Sequence, residues 1–393
     1  MTGFIFSTGS ARGGTGLLTR MLSVNKNVEI ALDPYLSIFK VLRNTIVRQM
    51  VAPEITKEFD YSSPLSDYYY SNKSLKVLDQ IINSTLNLSF PKKEIKRTIE
   101  DLKKRSLLSS GDLSDSMNEL NFNQTFGKLI LSGFNLIKKK RKKNLEWVGI
   151  HENWTIEFFI PLAKYFKKSK FFILTRDPRA VITSSLKVSD SKLRGQILSY
   201  AKCLRKMYAL SCVYMELPIF KNRLMVLSYE DLSINPIITC KRLCNFLNIK
   251  FSSEMLDTNN FIEPSDGKIY NGFSSFEKTT SGFSKQRTIR WRKHLLKNSH
   301  QLIDFLCGPE MELFGYKRDY LFTDLVSSEV LIEKILEEAS KKVNWRCDFN
   351  DIKKDFGYEF FRHLTINKKI NLPLQNVREL FLFKSVFDQI IKN

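Results

Sequence analysis

No run of about eighteen apolar residues occurs in the chain, so nothing reads as a membrane span. A leader is lacking too, because Gly3-Phe4-Ile5-Phe6-Ser7 is too short for the apolar part of a signal peptide and runs into a glycine loop. With Met1 as the start, these absences predict a cytoplasmic location. Cysteine and histidine are scarce: Cys203, Cys212, Cys240, Cys244, Cys307 and Cys347, with His151, His294, His300 and His363. No CxxC or HExxH spacing exists among them, which argues against a zinc site or any required metal. So few cysteines in so long a chain also argue against a disulfide framework. Cys240 and Cys244 read as a pair of small buried hydrophobes on one helix. Acids are outnumbered, 41 against 62 Lys plus Arg, for a net charge of +21. That balance suits partners rich in phosphate or other anions, and equally suits a lysine-rich soluble surface.

What is present describes an ordinary globular protein, 43% hydrophobic and 26% charged over 393 residues. That length permits two or three domains. Short apolar runs alternate with helical patterns. Gly3–Ser7, Val28–Leu32, Glu146–Ile150, Lys170–Thr175 and Arg223–Ser228 read as strands. Helices are expected at Thr15–Val24, Thr155–Lys167 and Asn235–Asn248. This alternation predicts an α/β domain around a mostly parallel sheet, with ligands at the carboxyl ends of its strands. Residues 35–145 read as a largely helical insertion closing on the basic run Lys138–Lys143. Residues 317–393 read as a helical extension of unknown role, leaving 1–316 as the main domain.

Two segments carry chemistry. Ser10-Ala11-Arg12-Gly13-Gly14-Thr15-Gly16 lies between a strand and a helix, where glycines admit a phosphate to backbone amides and the helix N-terminus. Gly9 and Gly14 have the spacing of a nucleoside-triphosphatase loop, but Thr15 stands where that loop needs lysine, and the basic residue is Arg12. Alone, this loop serves an anion site or a structural turn equally well. The second segment, Phe171-Phe172-Ile173-Leu174-Thr175-Arg176-Asp177-Pro178, is more specific. A buried strand delivers Arg176 at its carboxyl end, and Pro178 opens a helix that carries Ser184. Helical side chains lean toward the N-terminus, so Arg176 and Ser184 can converge on one phosphate. Otherwise Arg176 is a helix-end ion pair and Ser184 a surface residue.

Together these motifs resemble the sulfotransferase superfamily. Val226-Leu227-Ser228-Tyr229-Glu230-Asp231-Leu232, then Asn235-Pro236 and Phe246-Leu247, is similar to a further family segment. Gly282–Lys285 through Arg290-Trp291-Arg292 is similar to its basic loop, and Gly315-Tyr316 to its usual terminus. Many relatives carry serine or threonine where this chain has Gly13 and Gly16, which here leaves backbone amides without those hydroxyls.

The resemblance implies a P-loop sulfotransferase core and transfer of a sulfuryl group from 3′-phosphoadenosine 5′-phosphosulfate (PAPS), releasing adenosine 3′,5′-bisphosphate. Ser10, Ala11, Arg12, Gly13, Gly14, Thr15, Gly16 and Leu17 are then the 5′-phosphosulfate loop. Arg176 and Ser184 hold the 3′-phosphate, with Tyr229, Lys285, Arg287, Arg290 and Trp291 as further donor contacts. Arg12 is expected to offset charge on the leaving oxygen. The general base for an acceptor hydroxyl or amine is expected to be Asp33, then Glu152, then His151; as plain structure these would be helix caps or surface groups. A carbohydrate or other small acceptor is expected, with Tyr68-Tyr69-Tyr70 as a candidate sugar contact and Lys138–Lys143 as a candidate polyanion contact. The rival readings are a P-loop kinase, a nucleic-acid-binding protein and a carbohydrate-binding relative without catalysis.

Overall fold

A computed structural model describes residues 2–57, 59–63, 65, 72–142, 144–188, 197–270, 272, 276, 282–321, 349–368, 370 and 372–392. Tyr68-Tyr69-Tyr70 and Lys143 lie outside them. The described chain divides into two compact units that do not follow sequence order. The first comprises Met1–Leu65, Lys76–Thr175 and Tyr214–Lys285, and the second Ser66–Leu75, Arg176–Val213 and Gln286–Asn393.

The first unit holds one parallel sheet of five strands. These are Gly3–Gly9 (β1), Val28–Leu32 (β2), Trp147–His151 (β3), Ser169–Thr175 (β4) and Leu224–Ser228 (β5), in the order β2-β3-β1-β4-β5. Every predicted strand forms, with ends shifted by at most two residues and β2 unchanged. Register sets Ser7 and Leu32 opposite His151, so β2 and β3 finish level and β1 runs two residues further, to Gly9. Gly9 pairs with Leu174, which brings the end of β4 alongside.

Both sheet faces are covered, so the strands read as nearly continuous apolar runs. Ile5, Phe172 and Leu174 face Leu18, Met21 and Leu22 of the helix Thr15–Val24 (α1), together with Leu243 and Leu247 of the helix Pro236–Leu247. Their alternate neighbours point the other way. Phe6 stacks on Phe171 at 5.5 Å, and Phe4 and Phe6 both meet Phe134 and Phe166. Each phenylalanine so buried contributes about 1.5–3 kcal/mol.

The helix expected over Thr155–Lys167 is shorter, a 3₁₀ turn at Ile156–Phe158 followed by Phe159–Tyr165. Pro161 falls in the first turn of that helix, where a missing N–H costs nothing. The insertion is helical as expected, with Leu36–Met50, Ile95–Ser106 and Phe126–Lys140. Its basic run does not stand free. Arg141 is buried, gripping both oxygens of Asp112 (2.8 and 2.9 Å) and reaching Glu29 at 3.0 Å. Lys142 donates to the carbonyls of Ser23 and Val28, and Lys139 pairs with Glu119 at 2.6 Å.

The second unit is helical. Among its elements are Pro178–Val188, Lys297–Glu312, Phe349–Asn367 and most of Ile197–Glu216. Phe349–Asn367 belongs to the region expected as an extension, and buried charges fasten it. Glu359 accepts from Arg205 at 2.6 Å and from Arg362 at 3.3 Å, while Arg362 also bonds Glu310. The described cysteines are buried thiols. Among the described residues no helix is long and apolar enough to cross a membrane.

Candidate functional site

The connection leaving β1 heads to one side of the sheet and that leaving β4 to the other. The switch point therefore lies between the carboxyl ends of β1 and β4, where α/β sheets take ligands. Ser10–Gly14 leaves β1 at this point. The Gly13 N–H donates to the Ser10 carbonyl at 2.8 Å. Arg12 (φ 68°) and Gly14 (φ 90°) are left-handed, whereas Gly13 between them is not. Such alternation turns successive amides to one side and makes an anion nest. Glycine suits that conformation at position 14, while Arg12 adopts it at a cost of about 1–2 kcal/mol.

Gly14 caps α1 without a side-chain bond, and the Tyr229 ring fills the place a side chain there would take, 2.1 Å from an ideal Cβ. The amides of Thr15 and Gly16 open the helix, so they have no intrahelical acceptor and sit at its positive end. Ser10 is fully buried, and its hydroxyl has no hydrogen-bond partner among the described residues. A partnerless hydroxyl, outward amides and one arginine form a donor set fitted to a phosphate or sulfate. Leu17 bonds back to Gly14 through its amide and packs on the core, so its part is to shape the turn.

Asp33, His151 and Glu152 come together at the ends of β2 and β3. Asp33 (φ 49°) does not cap the helix Leu36–Met50, whose N-cap is Tyr35. Its carboxylate instead accepts from the Asn153 amide (3.1 Å) and from the Asn153 side chain (2.9 and 2.7 Å). Part of Asp33 reaches the surface, yet the packing around it raises its pKa to about 6, against the pull of Asn153 and Arg105. Glu152 is buried, with one oxygen on the Tyr35 amide and the other without a partner among the described residues. Burial first and the nearby Asp33 charge second push Glu152 well above the carboxylate range. His151 is fully buried with Nδ1 2.7 Å from the Ser7 hydroxyl, and burial lowers its pKa to about 3. At neutral pH the group therefore holds an ionised Asp33 and a neutral imidazole, beside a Glu152 carboxyl whose burial favours its protonated form. Arg12, Asp33 and Trp154 (φ 64°) are three of the six non-glycine residues with positive φ among those described, and each follows a strand of this edge. Strain of this kind gathers at working sites.

In the second unit, Asp177 caps the helix Pro178–Val188 by accepting from the Arg179 amide at 2.9 Å. Asp177 also takes the Arg179 guanidinium in a bidentate pair, and Asp304 adds a contact at 3.3 Å. Arg179 is thereby committed to structure. Arg176 is partly exposed; its carbonyl accepts from the Tyr208 hydroxyl at 2.7 Å, and its Nη2 reaches the Arg287 carbonyl at 3.4 Å. Ser184 is buried on the same helix. Trp291 is buried between the guanidinium groups of Arg179 (4.4 Å) and Arg292 (4.5 Å). Arg290 precedes the short helix Trp291–His294, and Lys285, in the first unit, opens Lys285–Ile289.

Sequence reasoning missed Asn153, Tyr35 and Ser7, which set the state of the three acid–base groups. It also missed Tyr270, whose hydroxyl lies against Gly16. Only the adjacency of Asn153 to His151-Glu152 gave a local signal.

Strand order, nest and switch point define a parallel-sheet protein with a glycine loop shaped for an anion. A model described as the sulfotransferase family matches residues 5–253. The chain belongs to the sulfotransferase family. It is similar to a protein named carbohydrate sulfotransferase 3 from Tetronarce californica, 26% identical over 41% of this chain. It is also similar to the protein of that name from Homo sapiens, 25% identical over 46% of this chain. The matches span 39% and 40% of those relatives' own length. The sulfotransferase domain of the Synechococcus PCC 7002 olefin synthase aligns over 80% of this chain and 94% of its own, at 16% identity and a TM-score of 0.45.

Proposed function

We propose that the chain moves a sulfuryl group from PAPS to a hydroxyl or amine of a carbohydrate or other small acceptor. The observation that carries the reading is the partnerless Ser10 hydroxyl inside the glycine nest, in a chain of this family. The donor supplies the sulfuryl group and an adenosine 3′,5′-bisphosphate leaving group. Loop amides, the Ser10 hydroxyl and Arg12 bind the 5′-phosphosulfate and offset charge on the departing oxygen. Arg176 and Ser184 are assigned to the 3′-phosphate, and Tyr229, Lys285, Arg287, Arg290 and Trp291 to further donor contacts. Asp33, ionised above about pH 6, takes the acceptor's proton. Glu152, its pKa raised by burial, and neutral His151 hold the edge around it. The acceptor side is assigned to the insertion, residues 35–145, because that stretch follows Asp33 directly. The names of the curated relatives favour carbohydrate as the acceptor class.

Thermal shift with adenosine 3′,5′-bisphosphate, ADP and ATP tests this reading. A hundredfold excess over Kd adds about 2.7 kcal/mol of apparent stability. The bisphosphate alone should give a clear shift, and Arg176→Ala should abolish that discrimination. An equal shift with ADP would sink the assignment.

A further inference from the structure

Gly16 has no conformational reason to be glycine. It occupies the first turn of α1 without a positive φ, and glycine there costs about 0.5–1 kcal/mol against alanine. Space supplies the reason. An ideal Cβ at Gly16 would lie 2.0 Å from the Tyr270 hydroxyl oxygen and 2.8 Å from its Cζ. A helical Cα–Cβ bond tilts toward the helix N-terminus, so that hydroxyl sits on the side where the amides of Thr15 and Gly16 lack acceptors. At Gly13 the loop itself takes the space, since a Cβ there would come 2.7 Å from the Ser10 carbonyl oxygen and 2.9 Å from its hydroxyl. At Gly16 a hydroxyl from elsewhere in the chain takes the place.

Tyr270 is firmly delivered. It closes a hairpin whose ends pair as Ile262 with Ile269, and its amide donates to the Phe261 carbonyl at 2.6 Å. Arg20, one turn below Gly16 on α1, is buried and bonds Glu263 of that hairpin at 2.6 Å and the Ser109 carbonyl at 3.1 Å. The Arg20 guanidinium also faces the Tyr270 ring, 5.6 Å from its centroid. Its remaining nitrogens, Nε and Nη1, are buried without hydrogen-bond partners among the described residues. This cost is understandable if the cation's task is to fix the ring. Tyr270 lies beyond residues 5–253, the span the family model matches.

We infer that Tyr270 is a ligand of the anion held by the loop: its hydroxyl donates to an oxygen of the donor's 5′-phosphosulfate, with Arg20 and Glu263 as positioning residues. The inference rests on the donor assignment above, and the experiment separates the two. Calorimetric titration of the full chain with adenosine 3′,5′-bisphosphate is compared with adenosine 3′-monophosphate, which lacks the 5′-phosphate. Tyr270→Phe keeps the ring and should weaken the bisphosphate about 10- to 100-fold, the worth of one hydrogen bond to a charged group. It should leave the monophosphate unchanged. Gly16→Ala, which favours the helix but displaces the hydroxyl, should give the same selective loss. Unchanged bisphosphate affinity in either variant, or equal loss of both ligands, overturns the role of Tyr270. If the wild type prefers ADP, the donor assignment falls, and the Tyr270→Phe comparison run with ADP still decides this inference. A wild type that binds none of these nucleotides removes both.

Discussion

Two buried polar clusters in this chain differ in what they leave unpaired. In the second unit, Arg205, Glu310, Glu359 and Arg362 interlock, each carboxylate facing two guanidinium groups. Burial alone would raise Glu359, but Arg205 and Arg362 outweigh it and carry the group down to about 2, while burial keeps Glu310 above its ordinary value despite the same two guanidinium groups. In the first unit, Asp33 and Glu152 are crowded together with no guanidinium bonded to either among the described residues, and both rise. Matched charges fasten helices. Unmatched ones favour the protonated form without a fixed ion pair, which is why the first cluster reads as a site.

The comparison can be broken at several points. The largest effect is expected on turnover, where Asp33→Asn should cost about 10²- to 10⁴-fold in kcat if Asp33 is the base. Full turnover with the true acceptor would remove Asp33 from that role. Next, Arg362→Met leaves two buried carboxylates short of a partner and should cost about 3–5 kcal/mol in urea unfolding. A loss below about 1 kcal/mol would show that the cluster is not fully paired.

Proton linkage gives a smaller signal of defined sign. Asp33 has a folded pKa of about 6 against 3.8 for the ordinary group, so its contribution to stability is fully present below 3.8 and fades as pH rises through 6. The wild type should lose stability relative to Asp33→Asn across that window in pH-dependent melting, while turnover rises through the same range as the base ionises. Glu152→Gln keeps the size and hydrogen-bonding of the side chain and should alter kcat less than about tenfold at neutral pH; a larger fall would make Glu152 the base. Smallest of all, Lys139→Ala should leave the melting temperature unmoved, because its pair with Glu119 is exposed.

Much of the sheet was legible because both faces of its inner strands are buried, and continuous apolar runs such as Phe171–Leu174 announce that. The loop was legible because glycines mark where a backbone must approach something closely. The basic run Lys138–Lys143 gave no local sign of its internal pairing, in which the Arg141 side chain is buried against Asp112 and Glu29. Those partners stand 29 and 112 residues away, beyond any local pattern. The same distance hid Tyr270, 254 residues after Gly16 in sequence though in contact with it in the fold. Asp33 was found by its place after a strand, but burial raises its pKa against the pull of Asn153, and only the register of β2 against β3 builds that surrounding.

That register has a consequence for synthesis. β1 is the middle strand, yet both its neighbours lie far downstream, β3 beginning at Trp147 and β4 at Ser169. A ribosome adding about 5–20 residues per second leaves β1 without either partner for roughly 7–30 s. Throughout that interval Gly3-Phe4-Ile5-Phe6 presents two open edges to the crowded cell. A strand made well before its neighbours is thus among the last to be satisfied, and the nascent chain depends on whatever shelters it until residue 175 has been made.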